Sequence, residues 1–287
     1  MKKYALGVVG TGLIGGSMAI DLRRRGFAGS VLGVEADPVA AAAAEKLGIV
    51  DRVVPLEECV RESDIILVAV PVSAAIVVIG SVLDLFEKEG YADKIVMDVC
   101  STKEKLAEAV LYHPCRKQLV LTHPMAGTEY SGPWAAIPNL FDGRACILAD
   151  TEESNPRAVA VAQSLYETLN MHPTYMRSSS HDVHTAYVSH LSHVLSFALA
   201  LTVLDKEKDE KHIFDLASGG FSSTVRLAKS GANMWVPILL QNRDNVIQVL
   251  DTYRDKLKAF RQALEEYDEP KVRELIEEAN RIKKIIR

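Results

Sequence analysis

The chain has little of what marks several classes of protein. Four cysteines occur in 287 residues (Cys59, Cys100, Cys115 and Cys146), and no two form a CxxC pair. That excludes a disulfide-stapled scaffold and leaves reduced thiols in a cytoplasmic protein as the expectation. Positive charge is not in excess: 33 Lys and Arg stand against 38 Asp and Glu, a formal net charge of -5. Such a balance does not attract a phosphate backbone, so a nucleic-acid partner is not expected. Long uncharged runs are scarce as well. The mostly apolar start of the chain imitates a signal peptide as far as Ala19, but its glycines between Gly7 and Gly16 weaken a continuous apolar helix. Nineteen uncharged residues run from Ile65 to Leu83, where Pro71 and Ser73 divide a strand-like half from a helix-like half. That division reads as strand then helix in a soluble sheet, not as a membrane span. The remainder, 48% hydrophobic and 25% charged, excludes disorder and leaves ample chain for one large or two ordinary domains.

Through residue 177, short β-rich runs alternate with helical stretches. Tyr4–Val9, Ser30–Val34, Ile65–Val70, Ile95–Val99, Leu119–Thr122 and Ala145–Ala149 read as strands. Leu13–Arg25, Pro38–Leu47, Ala74–Glu89 and Lys103–Leu111 read as helices between them, and a further helix over Pro156–Leu169 and a strand near Thr174–Met176 extend the sheet. Most strands are near-continuous apolar runs, the pattern of a parallel sheet covered on both faces. Strand signals vanish after Ser178. Helical spacing of apolar residues marks Asp182–Leu204, then Ile238–Tyr267, and then a last helix after Pro270 that presents Val272, Leu275, Ile276, Ala279, Ile282 and Ile286 on one side. The expected organisation is an α/β parallel-sheet domain over residues 1–177 and an all-α domain over 178–287.

Gly10-Thr11-Gly12-Leu13-Ile14-Gly15 follows the first strand and opens the first helix. In a GxGxxG turn the first glycine permits the tight bend, the second lets the backbone approach a pyrophosphate, and the third allows close helix–strand packing. The helix N-terminus supplies N–H groups and a favourable dipole to the anion. Glu35, at the end of the second strand and 20 residues after Gly15, is placed to accept ribose hydroxyls. No Arg or Lys lies between Val34 and Glu45 to receive a 2′-phosphate, which favours NAD over NADP. Arg23, Arg24 and Arg25 lie at the far end of the first helix, where they complement its dipole.

Ligands of such sheets sit at the carboxyl ends of the strands. Three loops leave there: Val70-Pro71, Asp98 to Lys103, and Thr122 to Glu129. Ser101 and His123 each follow an apolar strand and should point toward the nicotinamide. His123 is either a base that takes a hydroxyl proton as hydride leaves the same carbon, or a structural histidine. Lys103 competes for proton transfer, although a lysine three residues past a strand end more often caps or faces solvent. His181, His184, His190 and His193 form a second group. At about 100° per residue the pairs 181/184 and 190/193 fall on opposite faces of one helix, so no shared metal site is read there. At least one of these histidines should face the sheet. Ser218-Gly219-Gly220-Phe221 leads to Arg226, isolated in an apolar stretch and either a carboxylate anchor or a surface residue. Trp235 could line the site or merely pack.

The order of these motifs resembles the prephenate/arogenate dehydrogenases of tyrosine biosynthesis nearly end to end. It is carried by the GxGxxG, Asp98-x-x-Ser101-x-Lys103, Thr122-His123-Pro124-Met125-Ala126-Gly127-x-Glu129, Ser189-His190-Leu191-x-His193, Gly219-Gly220-Phe221 with Thr224-x-Arg226-x-Ala228, and Trp235. The resemblance implies a Rossmann-type domain joined to a helical domain that dimerises. It also implies NAD-dependent oxidative decarboxylation, with His123 taking the C4 hydroxyl proton and Ser101 bonding the nicotinamide or His123. His193 and Arg226 would contact the substrate, Arg226 through a carboxylate. Thr128, Glu129 and Trp235 would lie at the periphery, Trp235 near a partner's site. Gly10, Gly12, Leu13, Ile14, Gly15, Glu35, Val70, Pro71 and Ser101 would line the cofactor. No metal is implied, and no nucleic acid or membrane. The chain ends after its last helix, so no appended chorismate mutase or ACT domain is expected. Cys100 stands where glycine is common, Ser192 where proline is frequent, and Ser222 and Ser223 where a basic and an acidic residue are expected. The last two bear on which side chain is accepted, and both prephenate and arogenate stay open. Two other readings use the same motifs: a β-hydroxyacid dehydrogenase with Lys206, Lys208 or Lys211 as acid/base, and a non-catalytic NAD(H)-sensing module.

Overall fold

The computed structural model describes residues 3–210 and 212–285. Lys211 and Ile286 lie outside the described residues. An eight-stranded sheet forms the centre, ordered β3-β2-β1-β4-β5-β6-β7-β8. Its strands are β1 (Tyr4–Val9), β2 (Ala28–Val34), β3 (Arg52–Val53), β4 (Ile65–Val68), β5 (Ile95–Asp98), β6 (Leu119–Pro124), β7 (Ala145–Ala149) and β8 (His172–Met176). The all-parallel expectation is corrected at one edge. β7 pairs antiparallel with β6, and β8 runs parallel to β7. A parallel crossover needs a helix to carry the chain back across the sheet, whereas residues 125–144 contain only the one-turn segment Pro133–Ala135.

The helices that cover the sheet are α1 (Leu13–Arg24), α2 (Pro38–Lys46), α3 (Leu56–Glu62), α4 (Val72–Glu89), α5 (Glu104–Val110) and α6 (Pro156–Thr168). Neither β3 nor α3 is anticipated from periodicity; each is too short to show one. Local chemistry sets several boundaries. Asp37 accepts from the N–H groups of Val39 and Ala40 with Pro38 at the first helical position, and Asn155 caps α6 ahead of Pro156. α4 ends at Gly90 in the left-handed conformation (φ 68°), a stop that glycine makes without strain.

Ile65, Ile66, Leu67 and Val68 of β4 are all wholly buried, as expected of a strand covered on both faces. Ile79, Val82, Leu83 and Phe86 of α4 pack on one face of the sheet. Met18 and Leu22 of α1 and Leu165 and Tyr166 of α6 pack on the other. Each such side chain contributes roughly 1.5–3 kcal/mol by leaving water. Arg23 and Arg25 do more than complement a dipole: they reach Asp51 at 2.8 Å and Asp142 at 2.6 Å.

Beyond β8 the chain is helical: α7 (Ser178–Thr185), a π-helical turn (Ala186–His190), α8 (Leu191–Glu207), α9 (Gly219–Thr224), α10 (Ala232–Gln241), α11 (Arg243–Glu265) and α12 (Glu269–Ala279). The helix expected from Ile238 to Tyr267 is two helices, because Asn242 leaves helical geometry (φ -100°, ψ 26°) and buries its side chain. The chain divides into two compact units, Met1–Asn242 and Arg243–Arg287. Within the second, Val246, Val249 and Ala263 of α11 are buried, while Ile276 and Ile282 are half exposed.

At the end of β5, Lys103 is fully buried and donates to Asp98, also fully buried, which corrects its reading as a cap or solvent-facing residue. The pair belongs to the sheet's carboxyl edge: Asp98 also accepts from the N–H groups of Cys100 and Thr122, each at 3.0 Å. Removing one partner of a buried ion pair leaves the other charge uncompensated. Lys103→Met should therefore destabilise the fold by about 3–5 kcal/mol, measured as the loss of unfolding free energy in urea.

Candidate active site

β1, β4, β5 and β6 are adjacent and mutually parallel, so the loops that follow them leave from one edge. After β1, Gly10 sits at φ 92°, and a Cβ there would lie 2.5 Å from the Ala69 carbonyl oxygen. A Cβ on Gly15 would lie 2.1 Å from the Gly10 carbonyl oxygen. Gly12 differs: the nearest atom to its Cβ position is the Gly132 nitrogen, at 3.9 Å. Two glycines are thus required by packing, and the middle one leaves backbone open at the start of α1. Leu13 is buried behind it and Ile14 half-buried. Across the cradle, Glu35 accepts from the Thr11 N–H at 3.1 Å and from the Thr11 hydroxyl at 3.0 Å. An open glycine face at a helix N-terminus with a carboxylate beside it suits a dinucleotide: pyrophosphate against Gly12, ribose hydroxyls toward Glu35. Val70, half-buried, and Pro71, exposed, lead into α4 beside it.

His123 emerges within β6. Its Nδ1 lies 2.8 Å from Nε2 of His181 on α7. His181 Nδ1 in turn lies 2.7 Å from Asp182 Oδ1. Asp182 accepts the backbone N–H of Lys103 at 2.8 Å and of Glu104 at 3.0 Å, at the entry to α5. Burial, reinforced by His181, Lys103 and His190, drives His123 well below the usual histidine range. Burial also lowers His181, against the pull of Asp182. For Asp182 burial works upward, yet hydrogen bonds from His181, Glu104 and Lys103 outweigh it and hold the carboxyl low. The half-buried Ser101 sits on the neighbouring loop, and among the described residues no hydrogen bond joins it to His123.

The four helical-segment histidines do not fall into two opposed pairs. The π-helical turn at Ala186–His190 closes on i→i+5 bonds, absorbs an extra residue and rotates α8 about its axis. His181 and His190 are each 1% exposed, and His184 faces out. His190 Nδ1 meets the Asn242 amide at 3.1 Å, and burial pushes its pKa down to about 4. His193 stacks on Trp235 with ring centroids 3.5 Å apart, and Trp235 is itself buried. Burial lowers His193, helped by the nearby Arg226 cation. Arg226 itself lies 3.7 Å from Glu129, so the sequence-distant Gly220–Arg226 and His123–Glu129 segments meet. Thr128 turns its hydroxyl back to the Tyr130 N–H at 3.3 Å. Lys206 and Lys208, the acid/base candidates of the β-hydroxyacid reading, are exposed and paired with Glu210 and Asp205. His181 is one of the four histidines of which at least one was expected to face the sheet, and it does. Motif reading does not single out Asp182 and Asn242, and the adjacent His181-Asp182 pair just beyond the last strand was the available signal.

A doubly wound sheet with a dinucleotide cradle, joined to a helical segment that brings histidines and an arginine to the strand ends, defines a nicotinamide-dependent dehydrogenase. Comparison with known proteins narrows the class. The model of the prephenate dehydrogenase nucleotide-binding domain matches residues 18–175, and that of the prephenate dehydrogenase dimerization domain matches 177–278. The chain is 31% identical over 265 residues to prephenate dehydrogenase of Bacillus subtilis, covering 91% of this chain and 70% of that one. It is 29% identical to cyclohexadienyl dehydrogenase of Zymomonas mobilis, covering 92% and 89%. Among solved structures, prephenate dehydrogenase from Aquifex aeolicus in complex with hydroxyphenyl propionate and NAD+ superposes with a TM-score of 0.90 at 28% identity, covering 100% and 99%. Synechocystis arogenate dehydrogenase gives 0.77 at 27% identity, covering 98% and 99%. The chain belongs to the prephenate dehydrogenase family.

The cradle makes a test that separates packing from binding. Gly15→Ala should cost about 1–3 kcal/mol or more of stability, seen as a lowered Tm, because its Cβ meets backbone. Gly12→Ala should keep the parental Tm but weaken NAD by roughly tenfold, about 1.4 kcal/mol, in a fluorescence titration.

Proposed function

We infer that this chain oxidatively decarboxylates prephenate, or its amino-acid counterpart arogenate, with Ser101, His123 and Arg226 as its working residues. The observation that carries the reading is His123: a histidine at a strand end, kept neutral, with Nδ1 engaged by His181 and Nε2 left for a substrate hydroxyl. Gly10, Gly12, Leu13, Ile14, Gly15, Glu35, Val70, Pro71 and Ser101 would hold NAD, which when bound would supply the acceptor for the hydride from ring carbon C4. Glu35 and Asp37, with no basic residue between Val34 and Glu45, favour it over a 2′-phosphorylated relative.

His123 takes the C4 hydroxyl proton as that hydride departs, and the carbonyl forms. The ring carboxylate then leaves as CO2, its bonding electrons enter the ring, and a phenol results. Arg226 pairs with a substrate carboxylate, and Glu129 holds the guanidinium in position when no substrate does. His193 on Trp235 gives a flat wall for the ring. Thr128 lies on the loop that carries Glu129. A neutral base must stay unprotonated to work, so kcat/KM should hold level as pH falls through 6.5 and decline only below it. His123→Asn should keep NAD binding and lose about 10²–10⁴-fold in kcat. Arg226→Ala should chiefly raise KM, by about 1.5–3 kcal/mol of lost charge-assisted bonding. NADH formation with prephenate and with arogenate reads all three. Silence with both acids, in protein that binds NADH, would overturn the assignment in favour of a sensor.

The helical run Ser178–Glu207 is apolar enough to cross a membrane by length and composition, yet little of it is buried in its own chain. Val183, Tyr187, Val188, Leu201 and Leu204 are exposed on it. We assign this flank to a second copy of the chain, in keeping with the dimerization-domain match over 177–278. The four cysteines are free thiols, which suits a cytoplasmic enzyme. Val188→Asp with Leu201→Asp should shift the sedimentation coefficient from dimer to monomer.

A further inference from the structure

A base is only as good as the atom it presents, and an imidazole can carry its single proton on either nitrogen. Three side chains in series decide the matter here. The Asp182 carboxylate only accepts, and it takes N–H groups from Lys103 at 2.8 Å and Glu104 at 3.0 Å besides the His181 ring at 2.7 Å. His181 Nδ1 must therefore carry a proton. In neutral His181 the other nitrogen, Nε2, is then bare and can only accept. His123 Nδ1, 2.8 Å away, must donate to it. The proton of neutral His123 thus sits on Nδ1, and its lone pair sits on Nε2.

We propose that His181 and Asp182 are positioning residues that lock His123 into the Nδ1–H tautomer, so that Nε2 meets the substrate hydroxyl as a base. The proposal rests on the reading of His123 as the proton acceptor. The proton balance is simple. The hydroxyl O–H bond breaks, the proton joins Nε2, and His123 becomes an imidazolium that still donates Nδ1–H to His181. The ionised Asp182 beyond His181 favours that cation, while the buried Lys103 ammonium, paired with Asp98, opposes it. His190 also faces His123 and is neutral near pH 7.

Asp182 has a second task. The two N–H groups that it accepts lie directly behind Ser101–Thr102, so one carboxylate fixes both the ring of the base and the loop that carries Ser101. Its own backbone is pinned, since the Asn242 side chain donates to the Asp182 carbonyl oxygen at 2.7 Å. Other His-to-carboxylate pairs work through the same tautomer control, and loss of the carboxylate there costs turnover with little change in geometry.

The experiment compares Asp182→Asn, His181→Gln and His181→Leu in the full chain. In Asp182→Asn the new amide can donate to His181 Nδ1, which reverses both tautomers and puts the His123 proton on Nε2. In His181→Gln the side-chain carbonyl can still accept from His123 Nδ1, whereas His181→Leu leaves no acceptor there. Expected results are a kcat loss of about 10²–10⁴-fold for Asp182→Asn with KM and NAD Kd within a few-fold of the parent. His181→Gln should keep at least about ten times the kcat of His181→Leu at similar Tm. A second readout needs no turnover: ¹⁵N shifts of the His123 ring in the NAD-bound protein, assigned with His123→Asn. They should report Nδ1–H in the parent and Nε2–H in Asp182→Asn. Parental Nε2–H, an unchanged tautomer in Asp182→Asn, or equal kcat for the two His181 variants would each overturn the proposal. Full turnover by His123→Asn would instead remove the base assignment, whatever the tautomer.

Discussion

The buried contact between Lys103 and Asp98 organises the edge at which the chemistry is placed. Asp98 closes β5 and, from inside the protein, accepts the N–H groups of Cys100 and Thr122 together with the Lys103 ammonium. Those partners flank the two candidate positions: Cys100 precedes Ser101, and Thr122 precedes His123. Thr122 closes the arrangement, since its hydroxyl meets the Asp98 carbonyl oxygen on one side and the Tyr166 hydroxyl at 2.5 Å on the other. A charge placed so deep is costly unless every partner is present. What it fixes is the spacing of two neighbouring strand ends, those followed by Ser101 and carrying His123.

Electrostatics around His123 follow from the same arrangement. A desolvated pocket, two further imidazoles and an ammonium all oppose a positive His123 ring, while the carboxylates of Asp182 and Asp98 act on its neighbour His181. The ring therefore rests neutral and becomes charged only as it receives a proton. A general base must be available unprotonated at neutral pH, and a neutral imidazole meets that condition.

Much of this was legible in the chain. Strand runs such as Ile65-Ile66-Leu67-Val68 and the GxGxxG after β1 announce a doubly wound sheet because burial on both faces and a pyrophosphate turn leave few other residues possible. His123 and Ser101 stood out as candidates because each comes at the end of an apolar run in the sequence; in the structure His123 lies within β6 and Ser101 on the loop after β5. The reversal of β7 was not, since strand direction is set by where the chain travels between strands and leaves no mark within Ala145–Ala149. Nor was the π-helical turn: a single inserted residue at Ala186–His190 is invisible to a 3.6-residue period, yet it decides which way His190 and His193 face. Lys103 misled for a related reason. A lysine after a strand ordinarily reaches solvent, and only the tertiary position of Asp98 turns it inward.

The sheet and the helical segment after it cannot be understood as a cofactor half and a separate substrate half. Gln241, at the end of α10, accepts from the Thr102 hydroxyl at 2.7 Å and donates to the Val72 carbonyl oxygen at 2.9 Å, joining the loop that follows β5 to the start of α4. Its neighbour Asn242 holds Asp182 and His190. Four groups, Thr102, Val72, Asp182 and His190, are thus secured by two consecutive amides where α10 ends. A helix running on through Asn242 would carry that side chain around the axis and away from α7. The break at this position is accordingly a requirement of the site: the backbone leaves helical geometry so that one asparagine can turn inward and satisfy both partners.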